Sequence, residues 1–527
     1  MTINFKKGTN KWDFLVGWRD RDLILGLRGD DSLLGDGDVG RGDREKVHLR
    51  GGRDTLFGGH GDDVLWGDGR VAVGQYAAAL IGGGNDALHG DDGNDTLYGD
   101  GTLEIGAYAE SSGIRGGRDI LYGGSGDDAL FGDGYVTGGA VGQGAWIAGG
   151  ADTLLAGDGN DLLSGDGEVT SQVSTGCSIV GGSDFLDGGK GQDLLYGDGL
   201  VVPGLYADGK MTGGDDSLNG GAGEDTLYGD GEVSVFRVSA KLVGGDDRIW
   251  GGDGNDFMHG DGSAYGAEVE IVGGSDHIDA GSGIDTIFGD GDISAAPGFG
   301  QGRGLLTGGN DTIVAGTGSD WATGDGMVYT SGSSVLVGGS DGIAGGSGND
   351  VLYGDGSVEG DDEAVLAGGD DTILGGSGND TIHGEGTATG NFSGGGRLEI
   401  AGGNDLIIGG RGDDALWGDG AAMGGTGAVV TGGADTFIFQ RGDGRDLVLD
   451  FGSGDGDVIR FLIPGLTWSD LDTDRNGKLD DADRFVSLQD GDTRIDYGAA
   501  SRTGDRGKDV LTLVDVTDLT VSDVLFT

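Results

Sequence analysis

The chain has 527 residues, of which 127 are Gly, and its 91 Asp plus Glu against 32 Lys plus Arg give a formal net charge of −59. Self-repulsion on that scale opposes a compact fold unless cations neutralise it, which points to metal and excludes nucleic acid as a partner. The single cysteine, Cys177, excludes a disulfide framework and any site needing several thiolates, and reads as a lone buried or idle thiol.

Residues 1–25 precede the first repeat and read as an N-terminal cap. Their one apolar run, Phe14 to Trp18, is cut by Arg19 and Asp20, so it is neither a secretory leader nor a membrane span. The chain is therefore expected not to span a membrane, and any export address lies elsewhere.

Residues 26–430 repeat with a period near 32. Full blocks of the kind GGHGDDVLW begin at Gly26, Gly58, Gly90, Gly123, Ala156, Gly188, Gly220, Gly251, Ala280, Ala315, Gly345, Gly375 and Gly409. Gly-Asp-Gly follows each block, as in Gly67-Asp68-Gly69, with Glu385 as a substitution for Asp. Next come a variable stretch and a shorter block such as GGRDTLF from Gly51. Gly at the turns allows positive φ and lets carbonyls converge, while Asp adds a hard anionic oxygen suited to Ca2+. The three residues that end each full block form a very short strand with one apolar residue inward, from Leu65 and Leu97 to Leu416, Ala322 being the weak member.

The full blocks fit G-G-x-G-x-D-x-U-x, with U a large apolar residue. The chain thereby resembles the RTX, or haemolysin-type calcium-binding, family from about residue 17 to 450. The resemblance implies an all-β fold: a right-handed parallel β-roll or β-helix solenoid of about thirteen coils folded around several Ca2+ ions. On one edge of the roll, the plain one, the expected ligands are Asp31, Asp63, Asp95, Asp128, Asp161, Asp193, Asp225, Asp256, Asp285, Asp320, Asp350, Asp380 and Asp414. By the resemblance, each joins carbonyls of its own turn and of the neighbouring turn. The other edge offers Asp54, Asp86, Asp119, Asp152, Asp184, Asp216, Asp247, Asp276, Asp311, Asp341, Asp371, Asp405 and Asp435, together with the Asp of each Gly-Asp-Gly. There the variable stretch departs from the family pattern.

That stretch explains a period of 32 where two nonapeptides would give 18: it is an insertion within a single turn, so one repeat is one coil. Glu168–Val180, Glu232–Val243 and Met327–Val337 alternate apolar and polar residues, which predicts strand, bend, strand, an inserted β-hairpin that extends the sheets. Aromatics recur at the last nonapeptide position, from Trp66, Tyr98 and Phe131 to Tyr353 and Trp417. Since each immediately precedes an insertion, packing is the expected role and a sugar-stacking platform the alternative.

Residues 431–527 read as a small β cap. Alternating Phe437, Phe439, Leu447, Leu449, Val458 and Ile459 are expected to cover the last coil. Asp472 to Asp483 fits an EF-hand loop, with Asp472, Asp474 and Asn476 at positions one, three and five, Gly477 at six and Asp483 where Glu is usual. The resemblance further implies an uncleaved C-terminal signal read by a type I secretion apparatus, hence a secreted, extracellular or cell-surface protein of a Gram-negative bacterium.

The repeats start by residue 26, metalloprotease and serine-hydrolase motifs are absent, and the six His residues do not cluster with a nucleophile. The expected role is therefore non-catalytic: a calcium-binding matrix, surface-layer or adhesive protein, with self-assembly or a cell-surface polysaccharide as partner. A polysaccharide-active or polysaccharide-binding protein is the alternative.

Overall fold

The computed structural model describes residues 3–19, 21–139, 144–172, 176–295, 302–390, 396–424, 427–501 and 506–527. It is all-β apart from two short helices, Trp468–Leu471 and Tyr497–Ala500. About thirteen solenoid turns follow one another along the chain.

One coil has four strands. In the coil that begins at Ile120 they are Ile120–Ser125, Ala129–Phe131, Gly134–Gly138 and Ala145–Ala148. Each pairs in parallel with its equivalents one coil away on both sides. Leu121 lies beside Leu88 and Leu154, and Leu130 beside Leu97 and Leu163. Val136 lies beside Leu103 and Val169, and Ile147 beside Ile114 and Ile179. All twelve are buried, so four apolar ladders run through the core, one per strand position. The first two strands are joined by the nonapeptide turn, where Gly124 and Gly126 take φ of +123° and +127° that a Cβ would strain.

The insertions do form strand, bend, strand, but not hairpins. Gly167–Ser171 and Cys177–Val180 pair with the matching strands of the flanking coils, in parallel, and not with each other. The physical reason lies in the stacking: every coil carries an insertion of similar length, so each inserted strand finds a partner one coil spacing away. The insertion thus adds two further sheets to the solenoid. Residues 173–175, between these two strands in sequence, lie outside the described residues.

The chain divides into two compact units. The first comprises Met1–His277 with Asp290–Gly304, the second Ile278–Gly289 with Leu305–Thr527. In the first, Asn4–Lys7 and Phe14–Val16 already pair with Asp22–Arg28 and Ser32–Leu34, an incomplete opening coil. In the second, Thr436–Phe439 and Arg445–Val448 stack on Leu406–Arg411 and Ala415–Trp417, and the remaining chain folds over them. Phe437, Phe439, Ile459 and Phe461 are buried there, and Tyr497 lies 5.2 Å from Phe461 between ring centroids. Leu447, by contrast, is exposed and Leu449 and Val458 are half-buried; Val448 takes the inward place. Asp446 and Val448 occupy the Asp and apolar positions of one more nonapeptide, which fixes that register. Among the described residues no helix is long and apolar enough to cross a membrane.

Candidate metal sites

Three rows of carboxylates run along each unit, two of them inside the roll. The row at the nonapeptide turn contains every expected Asp. Within each unit the backbone N–H groups of this row donate to Oδ1 of the Asp one coil later: Asp31 to Asp63 at 2.6 Å, Asp128 to Asp161 at 2.7 Å and Asp193 to Asp225 at 2.8 Å in the first unit. In the second unit Asp320 donates to Asp350 at 3.0 Å and Asp380 to Asp414 at 2.9 Å. That bond engages one oxygen. The other oxygen of Asp63, Asp95, Asp128, Asp161, Asp193 and Asp225 is buried with no donor to meet it, as is that of Asp320, Asp350, Asp380 and Asp414.

A buried carboxylate oxygen without a partner costs several kcal/mol unless it is neutralised, so these atoms call for a cation. The same burial pushes Asp63, Asp128, Asp193 and Asp380 up to about 7, and Asp95, Asp161 and Asp225 up to about 6.

The other expected row is not at an edge. Asp54, Asp86, Asp119, Asp152, Asp184, Asp216, Asp247 and Asp276 in the first unit, and Asp311, Asp341, Asp371, Asp405 and Asp435 in the second, lie inside the coil. They sit on the wall between the fourth strand and the next coil's first, and form their own N–H to carboxylate ladder, as from Asp152 to Asp184 at 2.6 Å. The Gly-Asp-Gly row faces them from the opposite wall, where Asp68, Asp100, Asp133, Asp166, Asp198 and Asp230 are 0% exposed. One oxygen of each takes a glycine N–H of the facing wall, from Gly182 to Asp166 and from Gly214 to Asp198 at 3.2 and 3.3 Å. A Cβ on Gly149 would overlap the Asp166 carboxylate, which explains the glycine pair before each inner Asp.

The two inner rows meet. Asp166, Asp184 and Asp198 bring one oxygen each within 4.8 Å of one another, and Asp198, Asp216 and Asp230 do the same. Burial pushes the carboxyls of Asp184, Asp198 and Asp216 well up, and neighbouring carboxylates add to it. Oxygen-only donors with backbone carbonyls nearby suit a hard divalent cation such as Ca2+.

The C-terminal loop forms a third kind of cluster. Asp472, Asp474 and Asp483 converge within 4.8 Å, with Gly477 at φ +88°. Against the cost of burial, N–H groups of Trp468, Gly477, Arg475 and Asn476 hold the Asp472 carboxyl below its usual range. Asn476 turns away: its amide donates to Asp474 and Asp480, and its Oδ1 accepts from Lys478 N–H at 2.8 Å. A short strand, Lys478–Leu479, interrupts the loop by pairing with Leu519–Thr520, which distinguishes it from a loop between two helices.

Four ladder members were not anticipated. Asp13 and Asp22 open the outer and inner ladders, and Asp446 and Asp457 close them. Gly442-Asp-Gly-Arg-Asp446 carries the G-x-G-x-D signal in plain form. The aromatics at the last nonapeptide position are buried or half-buried and stack along the coils, Tyr98 on Phe131 at 5.1 Å and Tyr196 on Tyr228 at 5.1 Å, in keeping with packing. Cys177 is buried and in no disulfide.

A search of the curated proteins finds no match. The family model described as RTX calcium-binding nonapeptide repeat matches thirteen stretches: 7–41, 39–69, 81–101, 115–134, 147–168, 180–199, 212–232, 244–264, 272–292, 307–326, 337–358, 357–387 and 401–422. These stretches cover more than half of the chain and coincide with the carboxylate rows, and the chain accordingly belongs to the family of RTX calcium-binding repeat proteins, with multiple Ca2+ ions as its cofactors.

Proposed function

We propose that this is a secreted structural protein, of matrix, surface-layer or adhesive type, whose solenoid is ordered by calcium held at the outer and inner Asp rows. The observation that carries the reading is the series of buried carboxylate oxygens, such as Oδ2 of Asp63, Asp128, Asp193, Asp184 and Asp216, that no N–H or O–H reaches. Between coils, ions at these places remove a repulsion that a net charge of −59 otherwise imposes on the folded state. The loop at Asp472, Asp474, Asn476 and Asp483 is proposed as a further calcium site. A type I secretion apparatus and millimolar external calcium complete the picture: the chain folds once outside the cell. The role is taken as non-catalytic.

Calcium titration of the purified chain, followed by far-UV circular dichroism, tests this together with ion counting by native mass spectrometry. Strand signal should rise cooperatively with bound ions, and equal structure after exhaustive chelation would sink the proposal. Electron microscopy with calcium should show filaments, layers or surface-bound material if the role is structural.

One observation favours the alternative of a polysaccharide-binding surface. Phe57, His89 and Tyr122 stack at 4.4 and 4.6 Å on the outer face of the first sheet, with Tyr122 37% exposed. Affinity electrophoresis in polysaccharide gels, with Tyr122→Ala as comparison, decides it.

A further inference from the structure

The two inner rows set up a charge count that the outer row does not. Each coil contributes two carboxylates to its middle, one from each wall: Asp184 and Asp198, then Asp216 and Asp230. Asp198 belongs to both oxygen triads, so successive clusters share a ligand. Asp166 Oδ1, Asp184 Oδ2, Asp198 Oδ1, Asp216 Oδ2 and Asp230 Oδ2 are buried without a donor. Two negative charges per coil are balanced by one divalent cation per coil.

The surroundings also differ from those of the nonapeptide turn. On either side of the inner carboxylates the core is apolar: Leu186 and Leu195 on one flank, Ile179 and Val201 on the other, all fully buried. Gly197, Asp198 and Gly199 are buried as a triplet. Asp193, in the outer row, sits next to exposed Gln192 at a turn tip whose Lys190 is also exposed. An ion at the tip is one turn from solvent, whereas an ion in the middle is enclosed by both walls and two apolar ladders.

We propose that the first unit holds a single file of Ca2+ ions along its middle, one per coil and bridged by the Gly-Asp-Gly carboxylates, and that this file is occluded. Its ions exchange only when coils part, while those of the outer row exchange from the folded state. The inference rests on the calcium reading above and adds to it a second, slow class of ion, installed as the coils wind.

The test is isotope exchange on the full chain. Protein folded in 45Ca2+ is chased with unlabelled Ca2+ at constant concentration, so the fold is never stripped, and retained label is counted after rapid desalting. Two populations are expected, the slow one exchanging at least about a hundredfold more slowly and released by dilute denaturant in step with amide exchange of the coils. Loss of all label in one fast phase overturns occlusion, while calcium-dependent dichroism would leave the calcium reading intact. Absence of bound label defeats both. Asp198→Asn, placed in both triads, should remove label from the slow population and Asp193→Asn from the fast one; the opposite assignment refutes the file. The wild-type chase stands even where a variant fails to fold.

Discussion

A carboxylate with one oxygen held by a backbone N–H and the other placed where nothing donates to it is the recurring residue-scale event in this protein, and it fixes how the chain answers to pH. Asp63, Asp128 and Asp193 are held up to about 7 in the metal-free fold, against an ordinary value of 3.8. A raised acid contributes stability below about pH 4 and loses it as pH climbs through 6 to 7, because the fold then has to carry the charge. Without calcium, the chain should therefore be more ordered at pH 4 than at pH 7.5. With calcium the order reverses, since protons compete for the same oxygens below that range. The calcium midpoint of folding, read by dichroism, should rise by roughly tenfold or more between pH 7.5 and 5.5; a flat midpoint contradicts the assignment. The glycines facing these acids are equally constrained. Gly149→Ala drives a methyl into the Asp166 carboxylate and should cost at least about 2 kcal/mol in calcium-saturated stability, measured by denaturant unfolding.

At the scale of elements, alternation in the insertions revealed strands but not their partners. Apolar residues at every second position say that one face is buried; they do not say whether a strand bonds to its neighbour across a bend or to its equivalent one coil on. Parallel stacking won because the repeat supplies an equivalent at each step. The outer Asp row was legible from G-x-G-x-D alone, since all its parts lie within six residues. The acids of the inner clusters were legible too, as a recurring row and the Asp of each Gly-Asp-Gly, but not which of them converge, because Asp166, Asp184 and Asp198 lie in separate turns and meet only after winding. Leu447 was misplaced for a similar reason: the alternation admitted either phase, and Asp446 as a ladder member chose the one with Val448 inside. In the same C-terminal region, Phe437→Ala empties a fully buried site under the closing strands and should cost about 3–5 kcal/mol. Asp472→Ala should lower the ion count by one with the solenoid's dichroism unchanged, and a collapse of that signal would show the loop to be integral to the roll.

For the molecule as a whole, glycine content and charge both work against order, so metal removal has no gradual outcome. Chelation at neutral pH should convert the chain into an expanded coil with a radius of gyration on the order of 85 Å or more by small-angle scattering. Monovalent salt screens the repulsion but leaves the orphaned oxygens unfilled, so it should not restore the fold.

The Asp ladders have a polarity. Among the described residues, each rung of the outer and inner Asp ladders runs from the amide of one coil to the acid of the next, while an exposed ladder beside the outer one runs the other way, as from Asp62 to Asp30 and from Asn94 to Asp62. Where the described ladders start, the Asp13 and Asp22 carboxylates accept instead from the backbone N–H groups of Thr9 and Trp18 of their own loops, at 2.5 Å each. Head and tail are thus chemically unlike. Two such stacks could continue one another's rungs only head to tail, and a tail-to-tail or head-to-head junction would set amide against amide or acid against acid.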